Sequence, residues 1–134
     1  MKEIPAVVLI TGEEEYLVDQ ELVNLIEQIT DQGQYEFEII RLDGEEVDPQ
    51  ELEQQLKTVT LFSSAQIVTV KNPPWMGNPR GKKGKSVKDF EKVIISFLEH
   101  PNEGIYLIIT CREATASNPV ASAIKKKGEI REIK

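Results

Sequence analysis

The sequence predicts a three-layer α/β domain with a five-stranded, mainly parallel sheet, and two observations lead to this fold class. Short apolar runs of strand length alternate with stretches of helical periodicity along the whole 134-residue chain. The first run is continuously apolar rather than alternating, as in a strand that is buried on both faces. Strands separated by single helices are typical of a parallel sheet with helices packed on its faces.

The first strand and the first helix follow one another directly. The predicted strand Ala6–Ile10 is apolar throughout and is followed by Thr11-Gly12. From Glu14 to Asp31 apolar residues recur three or four positions apart with polar residues between them, which predicts an amphipathic helix. The apolar stripe of this helix consists of Val18, Leu22, Leu25, Ile26 and Ile29.

The second strand, Phe37–Leu42, is closed by an Asp-Gly pair and is soon followed by a helix start signal. Asp48 suits the capping position and Pro49 the first helical position, while Glu51 completes a spacing that resembles a capping box. The predicted stripe of this second helix consists of Leu52, Leu56 and Val59.

A long polar loop separates the third strand from the third helix. The strand is predicted at Gln66–Val70, and the loop from Asn72 to Lys85 is rich in Pro, Gly and Lys, which favours mobility. Ser86 opens the helix, and His100-Pro101 ends it. The inward positions of this helix are Phe90, Val93, Ile94, Phe97 and Leu98.

The last three elements are short. Ile105–Thr110 is the predicted fourth strand, and Asn118-Pro119 begins a helix that carries Val120 and Ile124 inward. Three consecutive lysines suit the negative end of this helix, and Gly128 ends it. The final segment, Glu129–Ile133, is predicted as the fifth strand.

Composition indicates one domain of ordinary soluble type, with 40% hydrophobic and 29% charged residues. The formal net charge of −7 argues against a domain whose main work is to hold nucleic acid. There is no run long enough to span a bilayer, and the residues before the first strand leave no room for a signal peptide. Cys111 is the single cysteine, so no internal disulfide can form, and we expect a cytoplasmic protein.

The turn after the first strand lacks the residues of a phosphate-binding loop. Such a loop reads G-x-x-x-x-G-K-[ST], and the first glycine corresponds to Gly12. Leu17 stands in place of the second glycine, Val18 in place of the lysine and Asp19 in place of the hydroxyl residue. Three glutamates at this helix start would also repel a triphosphate. We therefore predict a nucleotide site that has lost its function.

No other catalytic or metal-binding constellation is predicted. The third strand ends in Lys71-Asn72, whereas an ATPase needs a metal-binding acid there. A single His100 and a single Cys111 form neither a metal cluster nor a well-supported nucleophile–base pair. The acids Asp43, Glu45, Glu46 and Asp48 are read as a solvated turn that leads into a helix cap. We expect no catalytic residue, no cofactor and no metal ion in this chain.

Several segments, in order, resemble the first domain of the bacterial DNA polymerase III delta subunit, a component of the clamp loader. The most specific match is Thr60-Leu61-Phe62-Ser63-Ser64, followed by an aliphatic strand that ends in Lys71-Asn72. Supporting matches are the run from Val8 to Leu17, with its Gly-Glu-Glu opening, and Leu42-Asp43-Gly44. The loop from Asn72 to Lys85 has no confident counterpart in the family.

The resemblance implies an AAA+-like fold with the first strand central and a degenerate nucleotide site. It also implies that residues 1–134 are the amino-terminal domain of a longer chain, whose helical lid and collar are not part of this sequence. ATP would be hydrolysed by other subunits of the DNA polymerase III assembly. The expected partners are the sliding clamp, clamp-loader subunits of ATPase and delta-prime type, and DNA through the assembled complex.

The resemblance assigns clamp contact to Leu61 and Phe62, flanked by Thr60 and Ser63. Binding there would favour a clamp whose ring interface opens. From the residues alone, an adjacent apolar pair in a connector is more typical of the core, although this pair lies off the stripe of the preceding helix. Trp75-Met76 is either a second anchor or packs over the end of the sheet.

Two other functions remain open on the sequence alone. One is a nucleotide-dependent α/β enzyme, either a transferase or an NTPase, with an atypical phosphate loop. The other is a pure interaction scaffold of flavodoxin-like shape that serves a different complex. Nucleotide binding would identify the first, and clamp capture separates the delta-type function from the second.

Overall fold

The structure is a computed structural model that describes residues 5–32, 37–44, 46–57, 65–71, 73, 87–101, 104–112 and 119–133. Within these residues, strands and helices alternate, as the sequence predicts. The strands are β1 (Val7–Gly12), β2 (Phe37–Asp43), β3 (Ala65–Lys71), β4 (Ile105–Cys111) and β5 (Glu129–Ile133). The helices are α1 (Glu15–Gln32), α2 (Pro49–Lys57), α3 (Val87–Glu99) and α4 (Pro119–Lys127).

The five strands form one sheet in the order β2-β3-β4-β1-β5, and all neighbouring pairs are parallel. The predicted α/β class with a parallel five-stranded sheet is therefore confirmed. The first strand is interior and pairs on both sides, but β4 holds the middle position. Because all neighbouring strands are parallel, their carboxyl ends lie along the same side of the sheet, which we name the carboxyl edge. The opposite edge is the amino edge.

Two apolar cores lie on the two faces of the sheet, because successive side chains of a strand point to opposite faces. In β1, Val8 and Ile10 face α1, whereas Val7 and Leu9 face the side of the other three helices. The core under α1 consists of Val8, Ile10, Val18, Leu25, Ile29, Ile67 and Ile108. The larger core lies on the other face of the sheet, where apolar side chains of α2, α3 and α4 pack against the strands.

The predicted helix signals occupy their expected places. The backbone amide of Glu51 donates to the Asp48 carboxylate at 2.9 Å, which caps α2. Leu52 and Leu56 are buried, as predicted for their stripe, while Val59 lies outside the described residues. Gly128 follows α4, and its amide donates to the Ile124 carbonyl at 2.6 Å. Within the described part of the chain, no helix is long and apolar enough to cross a membrane.

Candidate functional sites at the two edges of the sheet

The turn between β1 and α1 is only two residues long. Gly12 ends the strand, Glu15 begins the helix, and Glu13 and Glu14 lie between them. The backbone amides of Leu17 and Val18 donate to the Glu14 carbonyl at 3.0 and 3.1 Å. A phosphate loop needs its amides free to bind phosphate oxygens. Here two amides at the corresponding positions are used inside the first helical turn.

Val18 packs against the end of β1. Its side chain is 5% exposed, and a Cβ atom added to Gly12 would lie 2.8 Å from Val18 Cγ2. Gly12 is therefore needed here for close helix–strand packing. The position at which a phosphate loop carries its lysine is filled by a buried apolar side chain, so this position offers an anion no charge.

A lysine at the end of β3 supplies the positive charge of this edge, and it already has an anionic partner. Lys71 Nζ lies 2.9 Å from Glu15 Oε2 at the start of α1. The pKa of Lys71 is raised above its ordinary value, first by the hydrogen bond to Glu15 and then by the charges of Asp19 and Glu15. Lys71 therefore lies at the end of the third strand, where an ATPase would carry a metal-binding acid.

The cleft around this ion pair has a volume of about 480 Å³. Its walls come from the β1–α1 turn and from the ends of β3 and β4. The lining residues are Gly12, Glu13, Glu15, Val18, Asp19, Lys71, Thr110, Cys111 and Arg112. The carboxylates outnumber the cations, so the cleft disfavours a polyanionic ligand. Loss of nucleotide binding itself stays a prediction.

The other polar residues singled out in the sequence lie at the ends of several different elements, where the structure describes them. Asp48 caps a helix, and His100 is exposed next to the end of α3, where its amide donates to the Ser96 carbonyl. Cys111 is buried at the end of β4. Among the described side chains, no group of three or more His, Cys, Asp or Glu residues is placed to hold a metal ion. Glu45 lies outside the described residues.

The predicted clamp-binding residues Thr60, Leu61, Phe62 and Ser63 lie outside the described residues, as do Trp75 and Met76. The flanks of the first group are described. Residues 58–64 connect the last residue of α2, Lys57, with the first residue of β3, Ala65. Both flanks belong to the amino edge, on the far side of the sheet from the Lys71 cleft.

Gln66 joins the two flanks of this segment. Its side-chain nitrogen Nε2 donates to the Gln55 carbonyl oxygen at 2.7 Å, and its backbone amide donates to the Gly104 carbonyl at 2.7 Å. Gln66 is 1% exposed. From the sequence, Gln66 was predicted only as the start of a strand. A polar residue that opens an otherwise aliphatic buried strand was the available signal for its role.

The fold defines the class of protein: an α/β domain with a five-stranded parallel sheet and helices on both faces. The chain belongs to the DNA polymerase III delta subunit family, whose sequence model matches residues 8–134. This result confirms the family resemblance drawn from the sequence. No curated protein sequence matches the chain significantly.

Solved structures of three proteins share this fold. The Bacillus subtilis DNA clamp loader delta protein is 21% identical, with a TM-score of 0.71, and the match covers 98% of this chain and 39% of that one. A DNA polymerase III gamma subunit-related protein from Thermotoga maritima is 15% identical, with a TM-score of 0.59 and coverages of 99% and 42%. A chain of the E. coli MS115-1 HORMA:CdnC:Trip13 complex is 14% identical, with a TM-score of 0.62 and coverages of 96% and 49%. The chain thus spans less than half the length of each.

Proposed function

We propose that this chain is a clamp-loader subunit that binds the DNA polymerase sliding clamp and favours its opening, without hydrolysing ATP. The observation that supports this best is the two-residue β1–α1 turn in a member of the delta family. Its amides and Val18 occupy the place in which a phosphate loop would hold nucleotide. A domain of ATPase fold with this turn serves the assembly through binding rather than through nucleotide chemistry.

Clamp contact is proposed for Leu61 and Phe62, with Thr60 and Ser63 beside them. Burial of two large apolar side chains contributes on the order of 3 to 6 kcal/mol before ordering costs. The hydrogen bond from Gln66 to the end of α2 supports this role, because it fixes the distance between the two flanks of the segment. Binding opens a clamp only if the open-competent ring binds the segment more tightly than the closed ring.

The wider assignment follows from the same proposal. The chain acts as the amino-terminal domain of a longer cytoplasmic subunit, which its 39% coverage of the Bacillus subtilis protein supports. Its partners are the sliding clamp and other clamp-loader subunits, including the ATPase and delta-prime types, and it meets DNA through the assembled complex. The alternative is a nucleotide-dependent enzyme with an atypical phosphate loop. The cleft argues against this alternative, because its carboxylates would repel the phosphates of a nucleotide.

The clamp contact is tested by capture of this chain on an immobilised sliding clamp from the same organism. Leu61→Ala with Phe62→Ala is expected to abolish capture and to leave the circular dichroism spectrum and the Tm unchanged. The matched control is Tyr16→Ala with Val23→Ala, which truncates two apolar side chains that are 68% and 54% exposed on α1. The control should bind the clamp as the unmodified chain does.

Two outcomes would contradict the assignment of the contact. Full capture of the Leu61/Phe62 variant would exclude the pair as the contact. Unfolding of that variant, with the control still folded, would place the pair in the core instead.

The absence of nucleotide chemistry is tested by calorimetry with ATP and Mg²⁺. We expect no binding at micromolar nucleotide and no phosphate release. Micromolar binding of ATP, or release of phosphate, would contradict the proposal and favour the enzyme alternative.

A further inference from the structure

We propose that the cleft at the carboxyl edge binds one cationic side chain, a lysine or an arginine, of a neighbouring protein subunit, with Asp19 and Thr110 as its acceptors. This inference rests on the proposed function, because it names the chemistry of a contact with another clamp-loader subunit. The site does not involve the proposed clamp segment, residues 58–64, and both acceptors belong to the described part of the chain.

The site is built on a row of residues that crosses the sheet on the face covered by α1. Asp43, Lys71 and Thr110 are in register on β2, β3 and β4. Neighbouring strands are about 4.8 Å apart, so Lys71 and Thr110 are adjacent. Asp19 of α1 lines both clefts at this edge together with these two residues, and the clefts have volumes of about 480 and 710 Å³.

Thr110 brings a buried hydroxyl group into the site. Thr110 is 3% exposed, yet it lines both clefts. Among the described side chains, none forms a hydrogen bond with the Thr110 hydroxyl. Buried polar groups of folded proteins nearly always have a partner. A hydroxyl oxygen that faces a cleft without a partner therefore indicates a ligand that carries a hydrogen-bond donor.

Asp19 supplies a negative charge beside this hydroxyl. Glu15, one turn earlier on α1, is paired with Lys71 at 2.9 Å. The Asp19 carboxylate, by contrast, forms neither a hydrogen bond nor an ion pair with any residue that the structure describes. Asp19 is partly exposed, so an approaching side chain can reach it.

The charges around the site favour a cation. The pKa of Lys71 is raised, first by the hydrogen bond to Glu15 and then by the negative charges of Asp19, Glu15 and Asp43. Arg41 and Arg112 each line only one of the two clefts, and neither is among the causes of this shift. The charges that act at Lys71 are thus all negative, and its single ammonium group does not balance them.

The walls of the site favour a lysine or arginine side chain over a metal ion. Leu22 and Val23 line the larger cleft next to Asp19, and Val23 is 54% exposed. Lysine and arginine have an apolar stem that packs on such a surface while the charged head reaches a carboxylate. Among the described residues, no group of three or more His, Cys, Asp or Glu side chains could hold a metal ion.

The test measures the dissociation constant of this chain with each purified clamp-loader subunit of the same organism, in the absence of nucleotide. Asp19→Asn removes the charge at nearly constant size, and Asp19→Lys reverses it. Thr110→Val removes the hydroxyl group. The matched controls are Glu27→Gln and Glu27→Lys, which change an exposed carboxylate about 12 Å further along α1. Both lysine variants shift the net charge from −7 to −5.

We expect Asp19→Asn to weaken binding to one subunit about tenfold, as for the loss of one charge-assisted hydrogen bond. Asp19→Lys should weaken it about a hundredfold, because attraction is replaced by repulsion. Thr110→Val should weaken it about fivefold. The Glu27 variants should differ from the unmodified chain by less than about twofold. Every variant should bind the sliding clamp as the unmodified chain does, and circular dichroism verifies that each is folded.

Three results would overturn the inference. Tighter binding by Asp19→Lys would mean that the ligand is an anion. Equal effects at Asp19 and Glu27 would mean that net charge acts rather than the site. Unchanged binding by both Asp19→Asn and Thr110→Val would exclude the two acceptors.

Failure of this inference can be distinguished from failure of the proposed function. If the unmodified chain binds the clamp but no other clamp-loader subunit, the cationic ligand is refuted and the clamp contact stands. If the unmodified chain does not bind the clamp, the proposed function itself is refuted.

Discussion

Replacement of Gln66 by leucine tests whether one buried amide fixes the base of the proposed clamp segment. Gln55 contributes one of the last four carbonyls of α2, and these have no partner inside the helix. The Gln66 side chain donates to this carbonyl at 2.7 Å and is itself 1% exposed. Leucine has a similar volume but no donor, so Gln66→Leu leaves the carbonyl without this bond in a partly buried place.

The expected loss in the free energy of unfolding is about 1 to 3 kcal/mol, the cost of leaving a buried polar group unpaired. For a domain of this size each kcal/mol lowers the Tm by roughly 3 to 6 °C. Urea unfolding followed by circular dichroism measures the free energy directly. Clamp affinity should fall as well, although no proposed contact residue is altered, because the two flanks of residues 58–64 lose their link.

Gln55→Ala is the matched control for this experiment. It removes a neighbouring side chain but keeps the backbone carbonyl that accepts the bond, so its unfolding free energy should change by less than about 0.5 kcal/mol. If Gln66→Leu is as stable as the unmodified chain, or if Gln55→Ala is equally destabilised, the amide does not anchor the segment and the argument is wrong.

Three further predictions concern stability. Lys71→Met should cost about 0.2 to 1 kcal/mol at low salt, because the ion pair with Glu15 is exposed. Since the Lys71 pKa is raised above 10.5, this contribution should be present at neutral pH and lost only as the pH rises through the raised value, which urea titrations between pH 7 and 11.5 can show. Gly128→Ala should lower the Tm by several degrees, whereas Ser122→Ala on the exposed face of α4 should not, because the new Cβ of the former would meet backbone at 2.5 Å. Arg131→Met should cost about 1 to 3 kcal/mol in urea unfolding, since it leaves two partly buried carboxylates without their partner.

Local sequence signals predicted the fold well, because each element had its own start, stop and periodicity. The cap at Asp48 and the stripe of Leu52 and Leu56 are where these signals place them. Strand limits were less accurate: β1 was predicted to end at Ile10 and extends to Gly12. Thr11 is polar, but it is buried by neighbouring strands and by packing around the end of the sheet, which a local hydrophobicity pattern does not contain.

The departures from a phosphate-loop motif could be predicted from the sequence, but the contacts that fill this cleft could not. The missing lysine and second glycine can be seen by aligning the sequence with the phosphate-loop motif. The ion pair between Lys71 and Glu15 joins residues 56 positions apart, and only the strand order brings them to one cleft. The Gln66 anchor escaped prediction for the same reason, because its acceptor is a carbonyl at the end of another element. The proposed contact residues Leu61 and Phe62 came from the family resemblance, and they stay a prediction.

Strand β3 links the amino edge with the carboxyl edge, because it contacts α2 near its start and α1 at its end. Its last residue, Lys71, is tied to α1 by a carboxylate of the same chain, and its second residue, Gln66, holds the end of α2. In a domain that is switched by nucleotide, the ligand bound at the carboxyl edge changes, and the contacts of the strands change with it. Here Lys71 is paired with Glu15, which belongs to the same chain and cannot be exchanged as a ligand can. Under the proposed function, the flanks of residues 58–64 are therefore held by contacts within the chain, and we expect clamp binding by this chain to be independent of added ATP.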